Sequence, residues 1–329
     1  MLVDSKLVPS GVEISSGILN PRPRLGLSFN ILHPATPTMD IIMYYYNKCF
    51  AYIIRTFMCL ATNTSASPDE IRHIKSRDVG RTIKVHLYQS SGSSPSPVLL
   101  NFHGSGFVLP LHGGDDEFCR RVSQETKNTV LDVPYRLAPE HPFPAALNDV
   151  EDAIKYVFTR PDEFDLTRVS ISGFSAGGNL ALAAASSLFA PDTFRSLLAF
   201  YPVTDLSPGP GSKTAPARGD FAIPLPVMRL FDRCYVPSSF DKRDPRISPL
   251  YAQADRFPRR VLMITADGDT LALEAEELAQ KIKKLQGWHV VGERMSGCSH
   301  GWDKRTRVGT PQYEAKERAY KLAFDMLNE

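Results

Sequence analysis

A regular alternation of strand-like and helix-like segments from about residue 82 onward constrains the fold more than any other feature of the sequence. Segments with the periodicity and composition of strands are predicted at 84–88, 98–102, 130–133, 169–172, 197–201, 261–265 and 290–294. Helical patterns lie between most of these strands, at 115–126, 145–159, 179–188, 271–285 and 312–327. This order is typical of an α/β protein with a mostly parallel, doubly wound sheet flanked by helices.

Two segments interrupt the alternation. Residues 1–75 precede the sheet, and residues from about 206 to 246 separate two predicted strands by far more than an ordinary connection. Long segments beside the carboxyl ends of strands usually build lids and pockets. We therefore predict an N-terminal cap segment at 1–75 and an α/β core at 76–329, with a second cap insertion at about 206–246.

The most apolar stretch of the chain lies at 40–62 within the first of these segments. It is interrupted by Asn47-Lys48 and by Arg55, whereas a transmembrane helix needs about 20 nearly continuous apolar residues. Lys48 and Arg55 are seven positions apart and share one helical face. The pattern predicts an amphipathic helix that packs on the body of the protein or contacts a membrane surface, and it favours packing.

Composition excludes several classes of protein. The formal net charge is +2 over 329 residues, without the basic stripe that a nucleic-acid-binding protein normally shows. The five cysteines are odd in number and lack C-x-x-C spacing, so we expect no zinc site, no disulfide framework and a reducing, cytoplasmic location. The first residues lack the pattern of a secretory leader, so we interpret Asn63-Thr64-Ser65 as a chance match to a glycosylation acceptor.

A glycine-rich turn separates the strand predicted at 169–172 from the helix that follows it. Its sequence, Gly173-Phe174-Ser175-Ala176-Gly177, is a G-x-S-x-G motif. The turn must be so sharp that side chains two positions before and two positions after the serine would collide, so both positions require glycine. Such a turn raises the Ser175 hydroxyl above the sheet, beside the positive end of a helix.

Further polar residues follow other strands, where a parallel sheet gathers its functional groups. HGSGF, at 103–107, follows the second strand and is either a simple turn or a loop whose amides converge on one point. Asp267 and Asp269 follow the sixth strand, where either side chain could also cap the next helix. His300 follows the last strand. Serine, acid and histidine in this order are typical of a serine hydrolase.

The chemistry requires all three side chains. Ser175 is a weak nucleophile until His300 takes its proton, and an aspartate fixes the imidazole tautomer and stabilises the cation that forms. The backbone amide of Ala176 would join those of Ser105 and Gly106 around the developing oxyanion.

The order of several motifs resembles the hormone-sensitive lipase-like family of esterases. The similarity extends over about 84–329 and rests on the motifs HGSGF, YRLAPEHPFPAALND (135–149), GFSAGG, SPL (248–250), D-x-L and SHG. The residues of these motifs, HGSGF and GFSAGG among them, resemble those of fungal members of the family. The resemblance implies an α/β-hydrolase fold with a helical cap and no cofactor or metal. It implies Ser175 as nucleophile, His300 as base, and Asp269 rather than Asp267 as acid, because Asp269-Thr270-Leu271 fits the family's D-P-L.

The sequence departs from the family pattern at two positions. Ser105 stands where the family has a glycine, which leaves an amide for the oxyanion hole, and Phe174 stands where the family has an aspartate. We expect Phe174 to alter either the local hydrogen bonding or the shape of the pocket, and we regard it, with Phe107, as a candidate substrate-binding residue. The resemblance implies structural roles for His103 and for Glu140, which would hold loops near the site. We reject Cys298 as a nucleophile because it has no elbow.

The resulting expectation is a serine carboxylesterase that hydrolyses short-chain, acetyl-like esters of a small molecule through an acyl-enzyme. The family favours small acyl groups, and the aromatic residues of the cap suggest an apolar alcohol. Because some fungal relatives serve natural-product pathways, the expected alcohol is a hydrophobic secondary metabolite. A dehydratase, a lactonase or an acyltransferase would use the same triad, and a ligand receptor related to this family would keep the serine without catalysis. We expect neither nucleic-acid binding nor a transmembrane segment, and a homodimer is left open.

Overall fold

The computed structural model describes residues 37–61, 66–92, 94–219 and 221–329, without the side chains of residues 37–40 and 59–61. The leader and glycosylation predictions, together with residues 1–36 of the expected cap segment, lie outside these ranges.

A single eight-stranded sheet organises the described chain, in the order β1-β2-β4-β3-β5-β6-β7-β8. Its strands are β1 Glu70–Lys75, β2 Thr82–Tyr88, β3 Ser96–Phe102, β4 Thr129–Val133, β5 Phe164–Phe174, β6 Ser196–Phe200, β7 Arg260–Ala266 and β8 His289–Met295. β1 and β2 run antiparallel to their neighbours, and the remaining pairs are parallel. The prediction of a mostly parallel sheet is confirmed.

The edge strand β1 lies within the stretch expected to belong to the N-terminal cap. Its sequence, EIRHIK, has no period-two apolar pattern, and Ile74 is its buried residue while Ile71 stays half exposed. The strand is specified instead by its antiparallel register with β2, from Glu70 opposite Leu87 to Lys75 opposite Thr82. A pairing of this kind leaves no local signal in the sequence.

Helices cover both faces of the sheet. Their bounds are α1 Pro37–Ala61, α2 Asp116–Glu125, α3 Ala145–Phe158, α4 Ala176–Ser187, α5 Leu225–Tyr235, α6 Ala272–Lys283 and α7 Pro311–Asn328. On one face α3, α4 and α6 bury aliphatic side chains against the strands. On the other face α2 and α7 enclose an aromatic core that contains Phe118, Phe174, Phe200, Tyr320 and Phe324.

The two remaining helices, α1 and α5, form a cap that packs on the body. Their apolar contact joins Ala51 of α1 and Leu230 of α5 to Val108 and Ala138 of the loops beneath. The packing alternative predicted for the apolar N-terminal helix is therefore confirmed. The outward face of α1 remains rich in exposed aromatic side chains, but no described helix is long and apolar enough to span a bilayer.

Candidate active site

The turn between β5 and α4 holds Ser175 in a backbone conformation that non-glycine residues rarely adopt. Its φ is +52° and its ψ is −116°, and its amide donates to the carbonyl of Phe200 at 2.9 Å. A Cβ added at Gly173 would lie 2.3 Å from the carbonyl carbon of Gly177, and one added at Gly177 would lie 1.9 Å from the oxygen of Phe102. The prediction that both positions require glycine is confirmed.

Ser175, His300 and Asp269 form one hydrogen-bonded chain. His300 Nε2 lies 2.8 Å from Ser175 Oγ, and His300 Nδ1 lies 2.7 Å from Asp269 Oδ2. Because the carboxylate can only accept, Nδ1 carries the proton and Nε2 is the acceptor for the serine hydroxyl. The serine is 8% exposed and the aspartate 3% exposed, so the arrangement lies in a recess with little access for water.

The two candidate aspartates occupy different environments. Asp269 contacts His300 through Oδ2 and accepts from the amide of Leu271 through Oδ1, so it also stabilises the turn that leads into α6. The carboxylate of Asp267 accepts instead from Ser296 Oγ and from the amide of Gly297. The geometry therefore brings Asp269, and not Asp267, to the imidazole.

Three backbone amides beside Ser175 are available to a negatively charged oxygen. In the described part of the chain, no oxygen accepts a hydrogen bond from the amides of Ser105, Gly106 or Ala176. Gly106 has a φ of +56°, and the carbonyl of Ser105 accepts from Val108 and Leu109, which turns the chain sharply. This conformation leaves the preceding amides free, as an oxyanion hole requires.

Tyr135 holds the Ser105–Gly106 loop in place. Its hydroxyl donates to the carbonyl of His103 at 2.6 Å and lies 2.7 Å from Ser105 Oγ. Its ring stacks on that of His103, with centroids 4.5 Å apart. Burial lowers the pKa of His103 to about 4, so the imidazole is neutral at pH 7. Neither group contacts Ser175, and both support the loop.

The structure corrects the expectation that Phe174 lines the substrate pocket. Its side chain is fully buried and stacks on Phe200, with centroids 4.4 Å apart, in the aromatic core under α2 and α7. Successive side chains of a strand point to opposite faces, so the residue before Ser175 points away from the site. Phe107 is also buried, with its ring stacked on Tyr235 of the cap at 3.6 Å.

A buried tyrosine, predicted to lie in a strand, packs against the imidazole of His300. Tyr201 follows β6 with a φ of +38°, and its ring meets the His300 ring edge to face at 4.8 Å. Its hydroxyl donates to Asp303 Oδ1 at 2.7 Å, and Tyr320 donates to the other oxygen of Asp303. The sequence indicated that Tyr201 lies near the site only through its position at the carboxyl end of a parallel strand.

Lys304 completes this polar network. Its ammonium lies 2.8 Å from carboxylate oxygens of both Asp115 and Asp303, and 3.7 Å from the centre of the Phe174 ring. Burial opposes its charge, but the two carboxylates prevail and raise the pKa of Lys304 well above its ordinary value. The Lys304 ammonium thus lies over the ring of Phe174, the residue that replaces the family's aspartate.

The cap covers the loops that carry the site. A Cβ added at Gly106 would lie 2.3 Å from the ring of Phe231 in α5. The amide of Ala217 donates to the carbonyl of Asp267, and the amide of Phe221 donates to Ser299 Oγ. Glu140 accepts two hydrogen bonds from Arg55 of α1, which is the loop-holding contact expected of it. The cap thus contacts the oxyanion, acid and histidine loops together.

Comparison with protein-family models matches residues 99–304 to a model described as the α/β hydrolase fold, a range that includes Ser175, Asp269 and His300. The chain is 32% identical to the ethyl acetate hydrolase of Pseudomonas putida over 249 residues, which cover 72% of this chain and 76% of that protein. It is 28% identical to the versiconal hemiacetal acetate esterase of Emericella nidulans over 228 residues, 63% of this chain and 77% of that protein.

The fold also resembles that of a solved carboxylesterase. A thermostable carboxylesterase cloned from a metagenomic library superposes with a TM-score of 0.73 at 29% identity, over 86% of this chain and 98% of that one.

Proposed function

The chain belongs to the hormone-sensitive lipase-like family of α/β-hydrolases, and from that premise we propose that it cleaves short-chain acyl esters, acetate esters above all, through an acyl-enzyme on Ser175. It is a serine hydrolase that acts on carboxylic esters. The observation that carries the finer proposal is the continuous hydrogen-bonded chain of Ser175, His300 and Asp269 beside three free amides.

In the proposed mechanism His300 Nε2 takes the proton of Ser175 Oγ while the oxygen attacks the ester carbonyl. The amides of Ser105, Gly106 and Ala176 stabilise the oxyanion of the tetrahedral intermediate. His300 then gives its proton to the leaving alcohol, and an acyl-enzyme remains on Ser175. Water attacks this ester with His300 again as base, and the acid leaves. Asp269 stabilises the imidazolium in both steps.

The proposed preference for a small acyl group is supported by the cap. The ring of Phe231 lies directly against Gly106, and Ser175 is almost completely covered, so there is little room for a long acyl chain beside the nucleophile. Both curated relatives described above are named for acetate esters. The proposal assigns residues 1–75 and about 206–246 to a cap on the core at 76–329, except for β1 (Glu70–Lys75), which belongs to the sheet of the core.

Three further proposals concern the alcohol part of the substrate, the cellular location and the oligomeric state. We propose a hydrophobic secondary metabolite as the alcohol, for which the name of the Emericella relative is the support. We propose a cytoplasmic location, for which the free thiols of Cys49, Cys119 and Cys234 are the support. The homodimer that the sequence leaves open remains part of the proposal.

The test is hydrolysis of p-nitrophenyl esters from acetate to long chains by the wild type, Ser175→Ala, Asp269→Asn and the matched variant Asp267→Asn. We expect turnover to be highest with the shortest chains. Ser175→Ala should lower kcat by about 10⁵-fold or more. Asp269→Asn should lower it by about 10³- to 10⁴-fold because the wrong tautomer is favoured. Asp267→Asn should stay within about threefold of wild type, because its carboxylate contacts Ser296 and Gly297 rather than the imidazole.

Circular dichroism of each variant controls for folding. Equal losses in both aspartate variants would contradict the assignment of Asp269. A folded wild type without activity on any chain length would contradict the esterase proposal and favour the lyase, transferase or receptor alternatives.

A further inference from the structure

A cluster of metal-ligating side chains lies outside the catalytic chain. His86 is on β2 and Asp132 is on β4, where the two residues are direct partners across the antiparallel pair. His112 lies in the segment that follows the oxyanion loop. One nitrogen of each histidine and one carboxylate oxygen of Asp132 all lie within 4.8 Å of one another. The two imidazole rings have centroids 4.1 Å apart.

Two buried atoms of this cluster have no hydrogen-bond partner among the described residues. They are His86 Nδ1 and Asp132 Oδ2. Asp132 Oδ2 lies 3.2 Å from His112 Nε2 without the geometry of a hydrogen bond, and the other oxygen of Asp132 accepts from Asn101 at 2.9 Å. Buried polar atoms are nearly always paired, so these two orphaned atoms, beside a His112 Nε2 that lies 3.1 Å from the backbone oxygen of Asp132, point to a missing ligand.

An ion pair between a protonated His112 and Asp132 does not account for the cluster as a whole. It would satisfy one oxygen of Asp132, but it would leave His86 Nδ1 without a donor and would place a charged imidazolium against a second imidazole. A divalent cation would pair both orphaned atoms, and His112 Nε2 would become the third ligand in exchange for its 3.1 Å hydrogen bond to the backbone oxygen of Asp132. A neutral imidazole nitrogen and a carboxylate oxygen are both ligands of zinc-class metals.

We propose that His86 Nδ1, His112 Nε2 and Asp132 Oδ2 bind a divalent transition metal of the zinc class, with water at the fourth position. Tetrahedral ligands at about 2.0–2.1 Å from zinc lie about 3.3 Å apart, and the pair His112 Nε2–Asp132 Oδ2 already has this spacing. His86 and Asp132 are held by the strands. His112 is on a loop and partly exposed, so its ring can close the remaining distance.

The surroundings of Asp132 resemble the outer shell of a metal site. Asn101 donates to Oδ1 of Asp132, the carboxylate oxygen that would not bind the metal. Ser172 in turn donates to the amide oxygen of Asn101 at 2.9 Å and fixes its position. Outer partners of this kind orient a ligating carboxylate. A metal here would tie β2 and β4 to the segment that follows Ser105 and Gly106, and would therefore stabilise the loop that holds the proposed oxyanion amides.

The test uses the full chain without a polyhistidine tag, freed of metal with a chelator and dialysed against micromolar Zn²⁺. Bound zinc is measured by atomic emission. We expect one zinc per wild-type chain, and a loss of affinity of at least about 100-fold in both His86→Ala and His112→Ala, since each removes a ligand. The matched variant His289→Ala, which alters an exposed histidine on β8, should retain wild-type binding.

A second measurement does not depend on any variant. Cobalt(II) bound to the wild type should give the intense visible absorption of a tetrahedral site, and zinc should displace it. Zinc should also raise the midpoint of thermal unfolding of the wild type but not of His86→Ala. Wild type that binds no zinc, or zinc binding that is the same in His86→Ala and His112→Ala as in wild type, would overturn the proposal. A six-coordinate cobalt spectrum would do the same.

Discussion

Backbone strain at single residues is concentrated around the proposed nucleophile. Among the described residues, the non-glycine positions with positive φ are Phe107, Ser175 and Tyr201. They follow the carboxyl ends of β3, β5 and β6, on the side of the sheet where Ser175 lies. The amide of Tyr201 donates to Ile264 at 2.6 Å, just as that of Ser175 donates to Phe200. Neighbouring strands thus maintain a conformation that costs about 1–3 kcal/mol per residue.

The close approach at the elbow predicts a large difference between two glycine substitutions. In Gly177→Ala the new methyl group would meet the carbonyl oxygen of Phe102, a backbone atom that cannot move without distorting β3. We expect a loss of about 3 kcal/mol or more in the free energy of unfolding, together with loss of esterase activity. The measurement is urea denaturation.

The control for this substitution is Gly209→Ala, which alters a glycine with open space around it and an ordinary φ of −62°. It should change stability by no more than about 0.5 kcal/mol. Similar stabilities for the two variants would contradict the steric account of the elbow.

At the scale of elements, one arginine fastens the cap helix to the core. Arg55 of α1 donates to the carbonyls of Val108 and Ala138 at 2.9 and 2.7 Å, and to both oxygens of Glu140. Val108 lies just beyond the oxyanion loop, and Glu140 belongs to the YRLAPE motif. A single side chain therefore connects the position of α1 to that of the loops beneath it.

This contact predicts a pH-dependent contribution of Glu140. Burial raises the pKa of the Glu140 carboxyl, but its hydrogen bonds and its attraction to the Arg55 guanidinium lower the pKa by more. The net pKa therefore lies below the ordinary value of 4.5. A lowered folded-state pKa means that the stabilisation is present above about pH 4.5 and is lost as the pH falls through the folded value. At pH 6 the free energy of unfolding of Glu140→Gln, measured by thermal denaturation, should thus be lower than that of wild type by about 1 kcal/mol or less.

The same measurement at lower pH tests the sign. The difference between wild type and Glu140→Gln should shrink as the pH falls from 4.5 through the lower folded-state pKa of Glu140, below which both side chains are neutral. Glu277→Gln, at an exposed position of α6, should show little difference at either pH. A difference for Glu140→Gln that grows towards acid pH would be inconsistent with the Arg55 contact.

Across the whole molecule, a buried polar network connects segments that are far apart in the chain. Asp115 precedes α2, Tyr201 follows β6, Asp303 and Lys304 follow β8, and Tyr320 lies on α7. The network lies directly behind His300, whose ring Tyr201 contacts. It holds the histidine loop against the core at the point where the family's usual aspartate is replaced by Phe174.

Removal of the Lys304 charge should destabilise the whole fold. Lys304→Met would leave Asp115 and Asp303 buried with fewer partners, while its side-chain volume would be nearly kept. Because the two carboxylates are buried but the Lys304 side chain is partly exposed to water, we expect a loss of about 1–2 kcal/mol in the free energy of unfolding, measured in urea at pH 7. Lys284→Met, at an exposed position, should be neutral within about 0.5 kcal/mol. Equal stability of the two variants would refute the network's role.

The order of strands and helices, the glycines of the elbow and the Ser–Asp–His order could all be predicted from the sequence alone, because each leaves a local pattern. Apolar periodicity reports which face of an element is buried, and Gly173 and Gly177 report a turn within five residues. Family resemblance favoured Asp269 over Asp267, a choice that spacing alone left open. The strand β1 could not be found, because its stability comes from pairing with β2 rather than from its own side chains.

Contacts between distant segments were decided only by the tertiary structure. The inward direction of Phe174, the Arg55–Glu140 contact, the network around Lys304 and the meeting of His86, His112 and Asp132 each join residues from different elements. Such residues carry no shared spacing, because what brings them together is the register of the strands and the packing of the loops upon them. The sequence alone determined the class of chemistry, whereas packing decided which side chains surround it.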